Sequence, residues 1–131
     1  MKRKVRVLLS LMVALAMVVA CLPITALAAT GDTGTTPDGF VWEELEDGTI
    51  AITGYTGSES DLVFPPQVGG KDVTSIGIFN REAAFEGNTT LESVTIPDGV
   101  IRICAAAFMN CTNLETVSIP DSVQYISNRA F

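Results

Sequence analysis

Few side chains in this sequence are of the types that catalyse reactions, and their spacing forms no catalytic or metal-binding motif. The 131 residues include no histidine, which excludes triads with a histidine base and most zinc sites. Of the three cysteines, Cys104 and Cys111 are seven residues apart, and Cys21 follows an apolar run. The stretch Gly69-Gly70-Lys71 lacks the spacing of a phosphate-binding loop and is typical of a turn. We therefore predict no catalytic residue, no metal and no cofactor.

The two downstream cysteines have two interpretations. In an exported protein, Cys104 and Cys111 could form a disulfide. Alternatively, Cys111 fills a polar position at the start of a strand, and Cys104 is a small residue beside the core. We favour the second interpretation, because side chains at such positions point into their own structural unit and need not face each other.

Acidic side chains recur at a regular spacing that could also support binding. Glu92 and Glu115 are 23 residues apart, and so are Asp98 and Asp121. On neighbouring strands, such equivalents would lie about 4.8 Å apart. The resulting row could attract cations or a basic partner, or it could simply be a solvated face. We favour the solvated face, because exposed like charges cost little once salt screens them.

This spacing belongs to a repeat that covers the end of the chain. Residues 86–108 align without a gap on residues 109–131, and 11 of the 23 positions are identical. Self-similarity at 20–29 residues is typical of a solenoid, in which each unit buries its apolar face on its neighbours. We therefore predict a β-rich α/β solenoid of short parallel strands.

Each unit contains one strand whose two sides differ. Around Val94, apolar side chains point to one side of the strand and hydroxyl side chains to the other. We expect a short helical or 3₁₀-like turn at Ala107-Phe108 to close the unit. The hydroxyl side and its flanking glutamates form the candidate partner-binding surface: Glu92, Ser93, Thr95, Glu115, Thr116 and Ser118.

The residues before the full repeats are expected to begin the array. Residues 56–85 are a degenerate repeat, in which Phe79–Glu82 is an insertion. Insertions in solenoids map to loops on one face. Residues 40–55 are predicted to form a β-hairpin with a primed turn at Asp47-Gly48, which caps the first repeat. The polar, turn-forming residues 29–39 are expected to be a linker.

The N-terminus has the pattern of a secretory signal peptide over residues 1–28. Four basic residues precede an apolar run of about 16 residues, which is shorter than the roughly 20 that cross a membrane. Ala26-Leu27-Ala28 then resembles a cleavage site. A lipoprotein anchored through Cys21 is the minor alternative, because the residues after Cys21 are still apolar.

Removal of residues 1–28 would make the protein strongly acidic. The leader holds four of the eight Lys and Arg residues and none of the fifteen Asp and Glu residues, so the remaining net charge is −11. Binding to nucleic acid or to anionic membranes depends on Lys and Arg. The charge therefore disfavours nucleic acid as a partner, and we expect no membrane insertion after cleavage.

The shared motif Leu-x-x-Val-x-Ile-Pro-Asp-x-Val-x-x-Ile-x-x-x-Ala-Phe resembles the BspA-like class of bacterial leucine-rich repeats. The resemblance covers about residues 40–131, and the stretch from Gly54 to Gly77 also resembles the start of such arrays. It implies a secreted or cell-surface protein that engages other proteins or surfaces and has no chemistry of its own. The insertion at 79–82 and Cys104 depart from the family pattern.

The sequence thus predicts a non-catalytic, exported adhesion or protein-binding module that uses the exposed face of its repeat sheet. The alternatives are an accessory region of a longer exported hydrolase or peptidase, and a structural spacer. Because the chain stops at Phe131 at the end of a unit, we expect the array to be truncated. Its uncapped last face could then support self-association.

Overall fold

The computed structural model describes residues 31–81 and 83–131 as a stack of short strands. The predicted signal peptide, the alternative anchor at Cys21 and the last inserted residue, Glu82, lie outside these ranges. The described residues form ten strands: β1 (Thr33–Thr35), β2 (Phe40–Glu44), β3 (Ile50–Tyr55), β4 (Asp61–Val63), β5 (Gln67–Val68), β6 (Lys71–Ile76), β7 (Ser93–Thr95), β8 (Arg102–Ile103), β9 (Thr116–Ser118) and β10 (Tyr125–Ile126).

These strands form two sheets that run along the stack. One sheet has the order β1-β2-β3-β6-β8-β10, with β5 paired to β6, and the other has the order β4-β7-β9. From β3 onward, the successive strands of the first sheet pair in parallel, and all strands of the second sheet are parallel. The predicted solenoid of stacked parallel strands is therefore confirmed.

Equivalent residues of successive repeats pair with each other on neighbouring strands, as the 23-residue period requires. In the second sheet, Val94 pairs with Val117, and Leu62 of the degenerate repeat pairs with Val94. In the first sheet, Ile76, Ile103 and Ile126 pair in the same way. Apolar side chains from both sheets form one buried core, because equivalent residues of each unit point inward together.

The described residues contain no helix, so the helical part of the prediction is not confirmed. Between Cys104 and Cys111, the chain makes separate turns closed by hydrogen bonds such as Ala107 N to Cys104 O, at 3.3 Å. Ala106 and Asn110 have φ values of 55° and 59°. A left-handed residue cannot continue a right-handed helix, so each turn ends after a few residues.

The N-terminal end of the first sheet is formed by β1, β2 and β3. Strands β2 and β3 pair antiparallel, with Phe40 opposite Tyr55. The connection is not the predicted primed turn at Asp47-Gly48. Gly48 N donates to Leu45 O at 2.9 Å, and only Gly48 of the turn has a positive φ, at 80°. A type I turn followed by a left-handed glycine, the usual three-residue hairpin loop, explains this geometry.

Strand β1 lies within the segment expected to be a linker, so that prediction is wrong for residues 33–35. These residues pair antiparallel with β2, with Gly34 opposite Trp42. A Cβ atom at position 34 would come within 2.8 Å of the Trp42 ring. The glycine therefore lets the indole pack directly on the backbone of β1.

The far end of the stack exposes apolar side chains. Ile119, Ile126 and Phe131 are 40%, 52% and 50% exposed. Their equivalents one repeat earlier, Ile96, Ile103 and Phe108, are at most 3% exposed. The Phe108 and Phe131 rings stack with their centroids 5.5 Å apart, which leaves the outer side of Phe131 uncovered.

Candidate functional site

The candidate residues of the full repeats lie on one sheet surface, which we call the β4–β7–β9 face. It consists of the outward side chains of these three strands: Asp61, Val63, Ser93, Thr95, Thr116 and Ser118. The side chains between them point the other way, so that Leu62 and Val94 are buried in the core. The strict alternation of a β-strand therefore separates the hydroxyl surface from the core.

The face is organised in two rows across the strands. Ser93 pairs with Asp61 on one side and Thr116 on the other, and Thr95 pairs with Val63 and Ser118 in the same way. The Ser93 hydroxyl donates a hydrogen bond to the Asp61 carboxylate. The rows place hydroxyl groups from successive repeats side by side, where they can donate and accept hydrogen bonds together.

The two candidate glutamates flank this face and are exposed. Glu115 N donates to Glu92 O at 2.8 Å, and Glu92 N donates to Ser60 O at 2.8 Å. These backbone hydrogen bonds place Glu92 and Glu115 at equivalent positions just before β7 and β9. The structure thus places the four hydroxyl residues on one face and the two glutamates directly before its strands.

Sequence reasoning missed two members of this surface, Asp61 and Val63. Val63 is 67% exposed at the edge strand β4. The alignment of Leu62-Val63-Phe64-Pro65 with the later Val-x-Ile-Pro segments already contained the necessary signal. The degenerate repeat therefore contributes to the surface together with the two full repeats.

The two described cysteines are not joined to each other. Cys104 is buried, with its Sγ 3.6 Å from Ser75 Oγ, and the Cys111 thiol donates to Phe85 O at 3.1 Å. Burial raises the pKa of the Cys111 thiol, which keeps it protonated and able to donate. The preferred structural interpretation of both residues agrees with these contacts.

Within residues 31–81 and 83–131, no three His, Cys, Asp or Glu side chains are close enough together to hold a metal ion. The acidic pairs Glu92 with Glu115 and Asp98 with Asp121 instead lie along the stack, with one residue of each pair in each full repeat. What this arrangement offers chemically is hydrogen bonding and negative charge over an extended surface.

Comparison with known proteins identifies the repeat. Residues 74–131 match the profile of the family described as "BspA type Leucine rich repeat region (6 copies)". These residues belong to the BspA-type leucine-rich-repeat family. The resemblance predicted from the repeat motif is therefore confirmed.

Solved structures of other bacterial leucine-rich-repeat proteins share this fold. A leucine-rich repeat protein from Bacteroides capillosus ATCC 29799 is 29% identical, with a TM-score of 0.66, over 79% of this chain and 75% of that one. The T. pallidum leucine-rich repeat protein TpLRR is 31% identical, with a TM-score of 0.55, over 76% of this chain and 41% of that one. A third leucine-rich repeat protein, from Bacteroides ovatus ATCC 8483, is 30% identical, with a TM-score of 0.51, over 75% of this chain and 24% of that one.

The chain spans less than half the length of two of these three leucine-rich-repeat proteins. No curated protein sequence matches it. None of the residues that the structure describes belongs to a helix long and apolar enough to cross a membrane.

Proposed function

We propose that the chain is a non-catalytic binding module that recognises a protein or a cell-surface ligand through the β4–β7–β9 face. The observation that carries the proposal is the continuous surface of exposed hydroxyl and carboxylate groups on a sheet whose other side is buried core. Leucine-rich repeats commonly bind proteins, and a stacked array offers a rigid surface that loses little conformational entropy on binding.

The proposal includes export and a location outside the cell. The leader pattern and the strongly acidic remainder support secretion or display on the surface of a bacterium. Two other roles remain compatible with the same fold: an accessory region of a longer exported hydrolase or peptidase, and a spacer. The β4–β7–β9 face favours binding over a spacer, because a spacer needs no aligned polar rows.

The proposal also includes self-association through the apolar end formed by Ile119, Ile126 and Phe131. Exposed apolar patches mark interaction sites, and these three side chains lie where each earlier repeat is covered by the next one. Strands β9 and β10 are the last strands of their sheets among the described residues, so each presents one unpaired edge.

Capture with matched variants tests the binding face. The immobilised chain is incubated with a solubilised extracellular-matrix protein mixture, beside Thr116→Lys on the face and Gln124→Lys away from it. Both side chains are exposed, and both substitutions change the charge equally. We expect specific proteins to bind the unmodified chain and Gln124→Lys but to be lost from Thr116→Lys. Equal capture by all three would contradict the proposed face.

A further inference from the structure

The first sheet carries an open groove of about 760 Å³, distinct from the β4–β7–β9 face. It is lined by the end of β2 with the turn that follows, the loop after β6 and Arg102 on β8, with Gly31 and Ser75 beside them. Phe79 lies on the loop after β6 and is 70% exposed, the highest value among the large apolar side chains of the described residues. An aromatic ring held in water beside a groove is a ready contact surface.

The insertion that breaks the 23-residue period forms one wall of this groove. Phe79 and Arg81 line it, and a second depression of about 490 Å³ is lined by Asn80 and Arg81 of the same loop. Arg81 Nη1 donates to both carboxylate oxygens of Glu43, at 2.7 and 2.9 Å. This ion pair attaches the inserted loop to β2 and gives the groove a defined shape. Insertions in solenoids are often found on the binding face.

Negative charge predominates around the groove. Its lining contains four carboxylates and two guanidinium groups. Glu43 is paired with Arg81 and Glu44 with Lys71, whereas Glu46 and Asp47 are exposed on the turn. The positive charge of Arg102 acts on Asp47, so beyond the two ion pairs the lining keeps two carboxylates and one guanidinium, an excess of one negative charge. Hydrogen bonds from the Thr49 hydroxyl and backbone N–H lower the pKa of Asp47, so its carboxylate stays ionised. The groove therefore repels anions and attracts cations.

We propose that this groove binds a Lys- or Arg-bearing segment of a partner polypeptide. The cationic group lies against the carboxylates of Glu46 and Asp47, and the side-chain stem or the cation itself packs on the Phe79 ring. An aromatic face attracts a nearby cation, and the alkyl stem of Lys or Arg covers apolar surface while its charged end stays in water. The site is separate from the proposed β4–β7–β9 face and does not depend on it.

Fluorescence anisotropy with the full chain tests this site. The probe is a fluorescein-labelled peptide with two lysines flanking a leucine, and the control probe carries glutamates in place of the lysines. Two variants alter the groove, Phe79→Ser and Glu46→Gln. The matched control for the charge change is Glu86→Gln, at an exposed carboxylate that lines neither the groove nor the β4–β7–β9 face.

We expect the lysine peptide to bind and the glutamate peptide not to bind. Each groove variant should weaken the binding of the lysine peptide about fivefold, since loss of a contact near 1 kcal/mol changes affinity by that factor. The Glu86→Gln control should stay within about twofold of the unmodified chain. Because the Phe79 and Glu46 side chains are exposed, neither variant should alter folding, which urea denaturation checks.

Three results would overturn the proposal. Equal weakening by Glu46→Gln and Glu86→Gln would show attraction by the overall negative charge instead of a site. Binding of the glutamate peptide, or of a neutral oligosaccharide in preference to the lysine peptide, would assign the groove a different ligand. Because no residue of the β4–β7–β9 face is changed, failure here leaves that face to its own test.

Discussion

Ala106 and Arg129 occupy equivalent positions of the two full repeats, and both adopt the left-handed backbone conformation, with φ values of 55° and 57°. For a residue with a Cβ atom, this conformation costs about 1–2 kcal/mol. An Ala-Ala-Ala-Phe segment has high helix propensity, which is why the sequence favoured a helical turn there. The strain is tolerated because the next two residues, Ala107 and Phe108, are buried in the core.

Replacement of Ala106 by glycine should therefore stabilise the protein. Glycine adopts a positive φ without steric cost but loses more entropy on folding, so we expect Ala106→Gly to raise the free energy of unfolding by about 0.5 kcal/mol. The control is Ala107→Gly, at a buried neighbour without a positive φ, which should lower it by about 1–2 kcal/mol. Urea denaturation measures both values. A loss of stability in Ala106→Gly would show that the left-handed conformation carries no strain.

At the scale of strands and turns, the repeat was the most predictable part of the fold. A fixed period places Val94 on Val117 and Ile103 on Ile126, because equivalent residues of stacked units must meet. Periodicity also identified the six polar residues of the candidate surface in the full repeats. It could not identify β1, whose polar sequence pairs with β2 where Trp42 packs against Gly34. Such a tertiary contact overrides local propensity.

The groove at Phe79 shows the same limit. The insertion was evident from the broken period, but the ion pair between Arg81 and Glu43 joins residues 38 positions apart. Nothing in the local sequence predicts that contact. The β4–β7–β9 face could be predicted because it follows from the repeat. The groove could not, because it depends on an insertion that interrupts the repeat.

Substitution of the same position in successive repeats should show how burial changes along the stack. Ile103 is fully buried, so Ile103→Ala should lower the free energy of unfolding by about 2–5 kcal/mol. Ile126 is 52% exposed, and Ile126→Ala should cost about 1 kcal/mol or less. The two variants remove the same atoms one repeat apart. Equal losses in thermal or urea denaturation would mean that the last repeat is covered in solution.

At the scale of the whole molecule, the apolar end should make the protein associate with itself. Sedimentation velocity of the purified chain should give a weight-average mass that rises with concentration. Phe131→Ser should reduce this rise, because it removes the outermost ring of the phenylalanine stack. Phe79→Ser, at an exposed phenylalanine distant from the end, serves as the control. A concentration-independent monomer would contradict self-association.

The central claim is that the β4–β7–β9 face is the surface that contacts a partner. Carboxyl footprinting of the chain, alone and with a captured protein, tests it most directly, because exposed carboxylates report on each surface separately. We expect labelling of Glu92 and Glu115 to fall in the complex, while the exposed Asp98 and Asp121 are labelled as before. Unchanged labelling of Glu92 and Glu115, with protection at Asp98 and Asp121 or at Glu46 and Asp47 alone, would contradict the claim.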